Sequence, residues 1–98
     1  MKLRAKDLGY STKLLDCLSG NVQDLGSIIS KTFSDKKMNC VIFGGESTVV
    51  VTGKGKGGRK QELVLYTRSD LSKKYKDVVV ASVGTDGIDG STDCAGAV

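Results

Sequence analysis

Two short stretches of this sequence gather the groups able to do chemistry. From Gly53 to Lys60 (GKGKGGRK), four bases, Lys54, Lys56, Arg59 and Lys60, are interleaved with four glycines and no acid. Glycine allows close backbone approach, so the N–H groups around Gly55, Gly57 and Gly58 can point inward and cradle an anion such as phosphate. A helix opening near Arg59 would add the positive end of its dipole. Arg59 itself can hold a pair of phosphoryl or carboxylate oxygens and stabilise charge as a phosphoryl group moves. The plain alternative is a solvated turn with scattered lysines. The second stretch, Gly84 to Val98 (GTDGIDGSTDCAGAV), places Asp86 and Asp89 each before a glycine. Such turns can aim carboxylates at a hard cation such as Mg²⁺, although Asp-Gly pairs are also ordinary turn formers. Asp93 is a weaker candidate.

The glycine-rich stretch matches two phosphate patterns incompletely. Gly53, Gly55 and Gly58 satisfy G-x-G-x-x-G, but no acid ends the following strand at the expected distance of about 20 residues. The P-loop pattern needs a Lys and then Ser or Thr after its last glycine, whereas Gly58 is followed by Arg59 and Lys60. The absence of histidine removes serine-histidine triads, imidazole acid-base catalysis and histidine-ligated zinc from this chain. Cys17, Cys40 and Cys94 share no short spacing and read as reduced thiols, with Cys40 expected in the core. The net charge is +4, yet no base follows Lys76, so one small chain carries a cationic and an anionic loop. That combination suits a partner bearing both phosphate and metal.

The elements that must position these loops follow from periodicity. Ninety-eight residues, 39% hydrophobic, fit one domain with little surplus for an enclosed chamber, so a sizeable site should be shared. Residues 2–8 read as the end of a helix entering from upstream, residues 10–16 as a strand, and Ser19-Gly20 as a turn. Val22, Leu25, Ile28, Ile29 and Phe33 recur at helical spacing behind a capping Asn21. Residues 38–43 form a compact apolar run, hence a buried strand, and residues 10–43 should make a right-handed β-α-β unit. Gly44-Gly45 reads as a hairpin turn into a β-branched strand over residues 47–52. A helix over residues 59–74 and a strand over residues 77–83 complete a second β-α-β unit. The expected fold class is therefore α/β: a mixed sheet of about four strands with helices packed on it.

In a β-α-β unit the loops after both strands leave the same sheet edge, so the loop after Thr52 should meet the loop after Val83. A hairpin at Gly44-Gly45 would leave Glu46 at the opposite edge, outside that site.

Three segments, Gly44-Gly45-Glu46-Ser47-Thr48 followed by valines, Gly53 to Glu62 (GKGKGGRKQE) and Gly84 to Val98, resemble in order and spacing the C-terminal MOFRL domain of class II glycerate kinases. Leu8-Gly9-Tyr10 and the glycine turn before the first full helix are similar too, so the resemblance covers nearly the whole chain. It implies ATP-dependent phosphorylation of a glycerate hydroxyl to give 2-phosphoglycerate, in a cleft shared with a larger N-terminal α/β domain. The matching positions are Gly57, Gly58, Arg59, Gln61 and Glu62 in the first loop, and Thr85, Asp86, Gly87, Asp89 and Gly90 in the second. Lys60 departs from the family's usual asparagine, and Ser47 stands for threonine.

The expected site thus has Arg59 as catalytic group, with Lys54, Gly55, Lys56, Gly57, Gly58, Gln61, Thr85 and Gly87 holding substrate and phosphate. Asp86 and Asp89 are the expected Mg²⁺ ligands. Glu62 is expected either to orient Arg59 or to take part in catalysis. The resemblance also implies a missing N-terminal domain and a truncated C-terminal end, so residues 1–98 would be one domain of a longer enzyme, inactive alone. Family members have also been labelled hydroxypyruvate reductases, which is the enzyme alternative. A phosphate- or nucleic-acid-binding module is the other, but only five aromatics are present and none lies in the basic loop to stack a base. No apolar run is long enough for a membrane span and MKLRAKDLGY has no signal-peptide core, so the cytoplasm is expected.

Overall fold

A computed structural model describes residues 1–35 and 37–98. Its elements are α1 (Lys2–Asp7), β1 (Thr12–Asn21), α2 (Val22–Phe33), β2 (Cys40–Thr48), α3 (Arg59–Ser72), β3 (Ser82–Val83) and β4 (Gly96–Ala97). The domain is a small mixed α/β fold in which β1 and β2 run parallel, joined through α2, as the first β-α-β unit requires.

Helix α2 begins where expected. The Asn21 side-chain oxygen accepts from the Asp24 backbone N–H at 2.9 Å, satisfying one of the unpaired donors of the first turn. Its apolar face buries Val22, Leu25 and Ile29 against Leu63 of α3, with Leu18, Phe43 and Val49 packed around them. Each such side chain, fully buried, contributes roughly 1.5–3 kcal/mol. Two contacts brace this packing: Gln23 Nε2, near the start of α2, donates to the Tyr66 hydroxyl at 2.8 Å, and the Phe33 ring at the end of α2 meets the ring of Tyr75, just past α3, edge to face at 5.3 Å. Helix α3 is thereby anchored on α2, and its first residue is Arg59.

Several sequence expectations need correction. Ser19 and Gly20 are not a turn: β1 continues to Asn21, absorbing a register shift between Leu15 and Leu18 where Cys17 takes φ 54°. Gly44-Gly45 is not a hairpin turn either. Both lie within β2, and Gly45, at φ 155°, faces the Leu18 carbonyl so closely that no Cβ would fit. The glycine serves close strand approach rather than chain reversal.

The β-branched run does not form the expected strand, because its ladder stops at Thr48 and Val50 and Val51 are left 80% and 81% exposed. Only Ser82 and Val83 of the last expected strand are paired, antiparallel to Gly96 and Ala97. Two sheets of two strands therefore replace the single sheet of four. Cys40 is half-buried, not a core residue.

Candidate functional site

The site forms where α3 begins. Gly58 is the residue before the helix and has no side chain to cap it, so the first turn needs acceptors from elsewhere. They come from Asp89, 29 residues on. Its Oδ1 accepts the Lys60 backbone N–H and its Oδ2 accepts the Gln61 backbone N–H, both at 2.9 Å, and the residue is completely buried. Burial pushes the Asp89 carboxyl up, but these two N–H donors, together with the Gln61 side chain and the Lys60 charge, outweigh it and the net direction is downward. A Cβ on Gly58 would overlap that carboxylate, so glycine at this position is what lets Asp89 reach the helix.

Further bonds tie the acidic loop to the same helix. Lys60 Nζ donates to the Ile88 carbonyl at 2.6 Å and lies 3.5 Å from Asp86 Oδ1. Gln61 Nε2 donates to Thr92 Oγ1 at 2.9 Å, and that hydroxyl donates to the Asp89 carbonyl at 2.7 Å. The Ser91 N–H reaches the Gly57 carbonyl at 3.3 Å. Asp86 is exposed, and its carboxyl is held below the usual range by the Ile88 backbone N–H and then by the Lys60 ammonium. The two loops meet as expected, although by side-chain capping and not across one parallel sheet.

Between them opens a cavity of about 740 Å³, with Gly55, Lys56 and Arg59 on the basic lip, Asp86 and Ser91 on the acidic lip, and Val50 and Val51 as an apolar wall. Gly57, Gly58 and Glu62 also line it. Its size is within the range of small-molecule and cofactor sites. Lys54, Thr85 and Gly87 are exposed beside this cavity and not on its wall, and Gln61 is turned to Thr92.

Two placements differ from expectation. Glu46 belongs to the site, because β2 runs straight through Gly44-Gly45 and brings its carboxylate 3.9 Å from Arg59 Nη2. Among the described residues, the ion pair of Arg59 is with Glu46, not Glu62. Asp89, expected as a Mg²⁺ ligand, spends both carboxylate oxygens on helix N–H groups and has no exposed surface. Among the described residues no three His, Cys, Asp or Glu side chains gather as a metal cage. Of the two expected Mg²⁺ ligands, Asp86 keeps an exposed carboxylate, and the Lys60 ammonium already faces it. Sequence reasoning missed the roles of Glu46, Thr92 and the Ile88 carbonyl. Only the run of acid and hydroxyl residues after Gly84 hinted at such a network.

Comparison with known proteins finds relatives of this chain in both sequence and fold. The MOFRL family matches residues 39–98. The D-glycerate 2-kinase of Thermotoga maritima is 40% identical to this chain, covering 99% of it and 25% of the relative. The glycerate 2-kinase of Picrophilus torridus is 46% identical, covering 82% of this chain and 20% of its own length. The crystal structure of a Thermotoga maritima glycerate kinase superposes with a TM-score of 0.82 at 36% identity, over 97% of this chain and 25% of that one. The chain thus spans about a quarter of the length of the relatives it matches. Among the described residues, no helix is long and apolar enough to cross a membrane.

Proposed function

The chain belongs to the MOFRL family, and from that premise we propose that it forms one wall of the active-site cleft of a glycerate kinase. The opposite wall comes from an N-terminal α/β domain. The reaction transfers the terminal phosphoryl group of ATP to a hydroxyl of glycerate: the hydroxyl oxygen bonds to phosphorus, the bond to the ADP oxygen breaks, and the hydroxyl proton is released. The product is 2-phosphoglycerate.

The observation that carries this reading is the single cavity that joins the two lips, with Lys56, Arg59 and the glycine backbone on one side and Asp86 and Ser91 on the other. Phosphoryl transfer needs positioning and charge stabilisation more than covalent help. Arg59 is half-exposed at the mouth, where its guanidinium can leave Glu46 for phosphoryl oxygens. Lys54 and Lys56 would neutralise the remaining phosphates and the Gly55 and Gly57 backbone would cradle them, while Asp86 and Ser91 border the substrate from the second lip. A Mg²⁺ that accompanies the nucleotide would find the exposed Asp86 carboxylate on the second lip.

The test is ADP release from ATP and glycerate by the whole protein that carries this chain. Arg59→Ala should lower turnover by about 100-fold or more, the cost typical of losing one preorganised charge-stabilising group. Unchanged turnover would remove Arg59 from the chemistry. Consumption of NAD(P)H with hydroxypyruvate, in place of ADP release, would favour a reductase.

A further inference from the structure

A helix start is an anion cradle because its first N–H groups lack partners inside the helix. In this protein the cradle at α3 is already filled. The Asp89 carboxylate sits on the Lys60 and Gln61 N–H groups at 2.9 Å each, with no solvent-exposed surface. It is also locked from behind: Thr92 Oγ1 donates to its carbonyl, Gln61 Nε2 holds Thr92, and Ser91 N–H reaches the Gly57 carbonyl. A phosphate seated on α3 would have to expel a buried, doubly bonded carboxylate. By contrast Gly53, Gly55 and Gly57 have open space around them, next to Lys54 and Lys56.

We propose that Asp89 is a positioning residue that acts as a built-in anion: it occupies the α3 cradle permanently, fixes Arg59 at the cavity mouth, and directs an incoming phosphate onto the Gly53–Gly57 loop. This inference rests on the phosphate reading of the cavity and specifies where that phosphate lies. Lys60 reinforces the clamp through the Ile88 carbonyl and Asp86.

The experiment is an amide-resolved NMR titration of the protein with inorganic pyrophosphate. In the unmodified protein the amides of Gly53, Gly55 and Gly57 should shift while those of Lys60 and Gln61 stay fixed. In Asp89→Ala the emptied cradle becomes available, and pyrophosphate should now shift Lys60 and Gln61 as well. Asp89→Asn, which keeps the side-chain shape but not the charge, serves as second variant should the alanine form unfold. Without ligand, its Lys60 and Gln61 amides should exchange with solvent about tenfold faster or more, since two charge-assisted bonds are weakened. Shifts at Lys60 and Gln61 in the unmodified protein would overturn the assignment, as would unchanged exchange in Asp89→Asn. If pyrophosphate moves no amide at all, the phosphate reading fails, and the exchange measurement alone decides whether Asp89 holds the helix start.

Discussion

Glu46, near the end of β2, and Arg59, the first residue of α3, form an ion pair of 3.9 Å across the edge of the cavity. Both partners are substantially exposed, at 76% and 42% of their side-chain surface. A pair in water at this distance contributes at most about 1 kcal/mol to stability. On the proposed reading its consequence lies in binding, because Glu46 occupies the guanidinium assigned to the phosphate. Glu46→Gln should leave the urea midpoint nearly unchanged and strengthen pyrophosphate binding in a calorimetric titration. Weaker binding would show that Glu46 holds Arg59 in place rather than competing for it.

The glycines of the basic loop should separate into two classes. A methyl group on Gly58 collides with the Asp89 carboxylate, so Gly58→Ala should cost about 2–4 kcal/mol in urea unfolding through overpacking and broken bonds. Gly55→Ala meets nothing within 4 Å and should change stability by less than ~0.5 kcal/mol. Equal losses for both would mean that Asp89 does not reach α3 in solution.

Acid should loosen the clamp in a defined direction. Asp86 and Asp89 both have carboxyl pKa values below the ordinary 3.8. Groups lowered on folding contribute their stabilisation in full above the unfolded value and lose it as pH falls through the folded one. Stability from these two acids should thus be constant from neutral pH down to about 4–5 and fall below 3.8. Thermal melts of Asp89→Asn should lack the Asp89 part of that fall. A variant curve parallel to that of the unmodified protein would contradict the capping role.

The α2–α3 contact contains a removable defect. Thr67 is completely buried and its hydroxyl has no hydrogen-bond partner among the described residues. Thr67→Val keeps the branched shape while deleting the unsatisfied group, and should stabilise the domain by roughly 1 kcal/mol in urea unfolding. A loss of similar size would reveal a partner for that hydroxyl in solution.

How much of this was legible in the sequence depended on whether the cause was local. The five apolar positions of α2 and its Asn21 cap are local, and the helix lies where they put it. The parallel β1–β2 pair follows from the same segment. Gly45 misled because its reason is a neighbouring backbone: read alone, two glycines are a turn, yet here one admits the Leu18 carbonyl. Val50 and Val51 have strand-forming side chains but no adjacent strand among the described residues, so propensity had nothing to pair with. Asp89 was visible as a chemical group and misread in role, since Asp-Gly signals a turn and nothing nearby announces two N–H partners near residue 60. The meeting of the loops was foreseen, but through a second β-α-β unit that is not formed. A carboxylate cap performs that task.

The central claim is that the basic and acidic lips form one phosphate-binding mouth. Titration of the protein with ATP, followed at each backbone amide, tests it most directly. The account predicts that Gly55 and Gly57 shift together with Asp86 and Ser91 along one saturation curve. Shifts confined to one loop, or two curves with different midpoints, would contradict it.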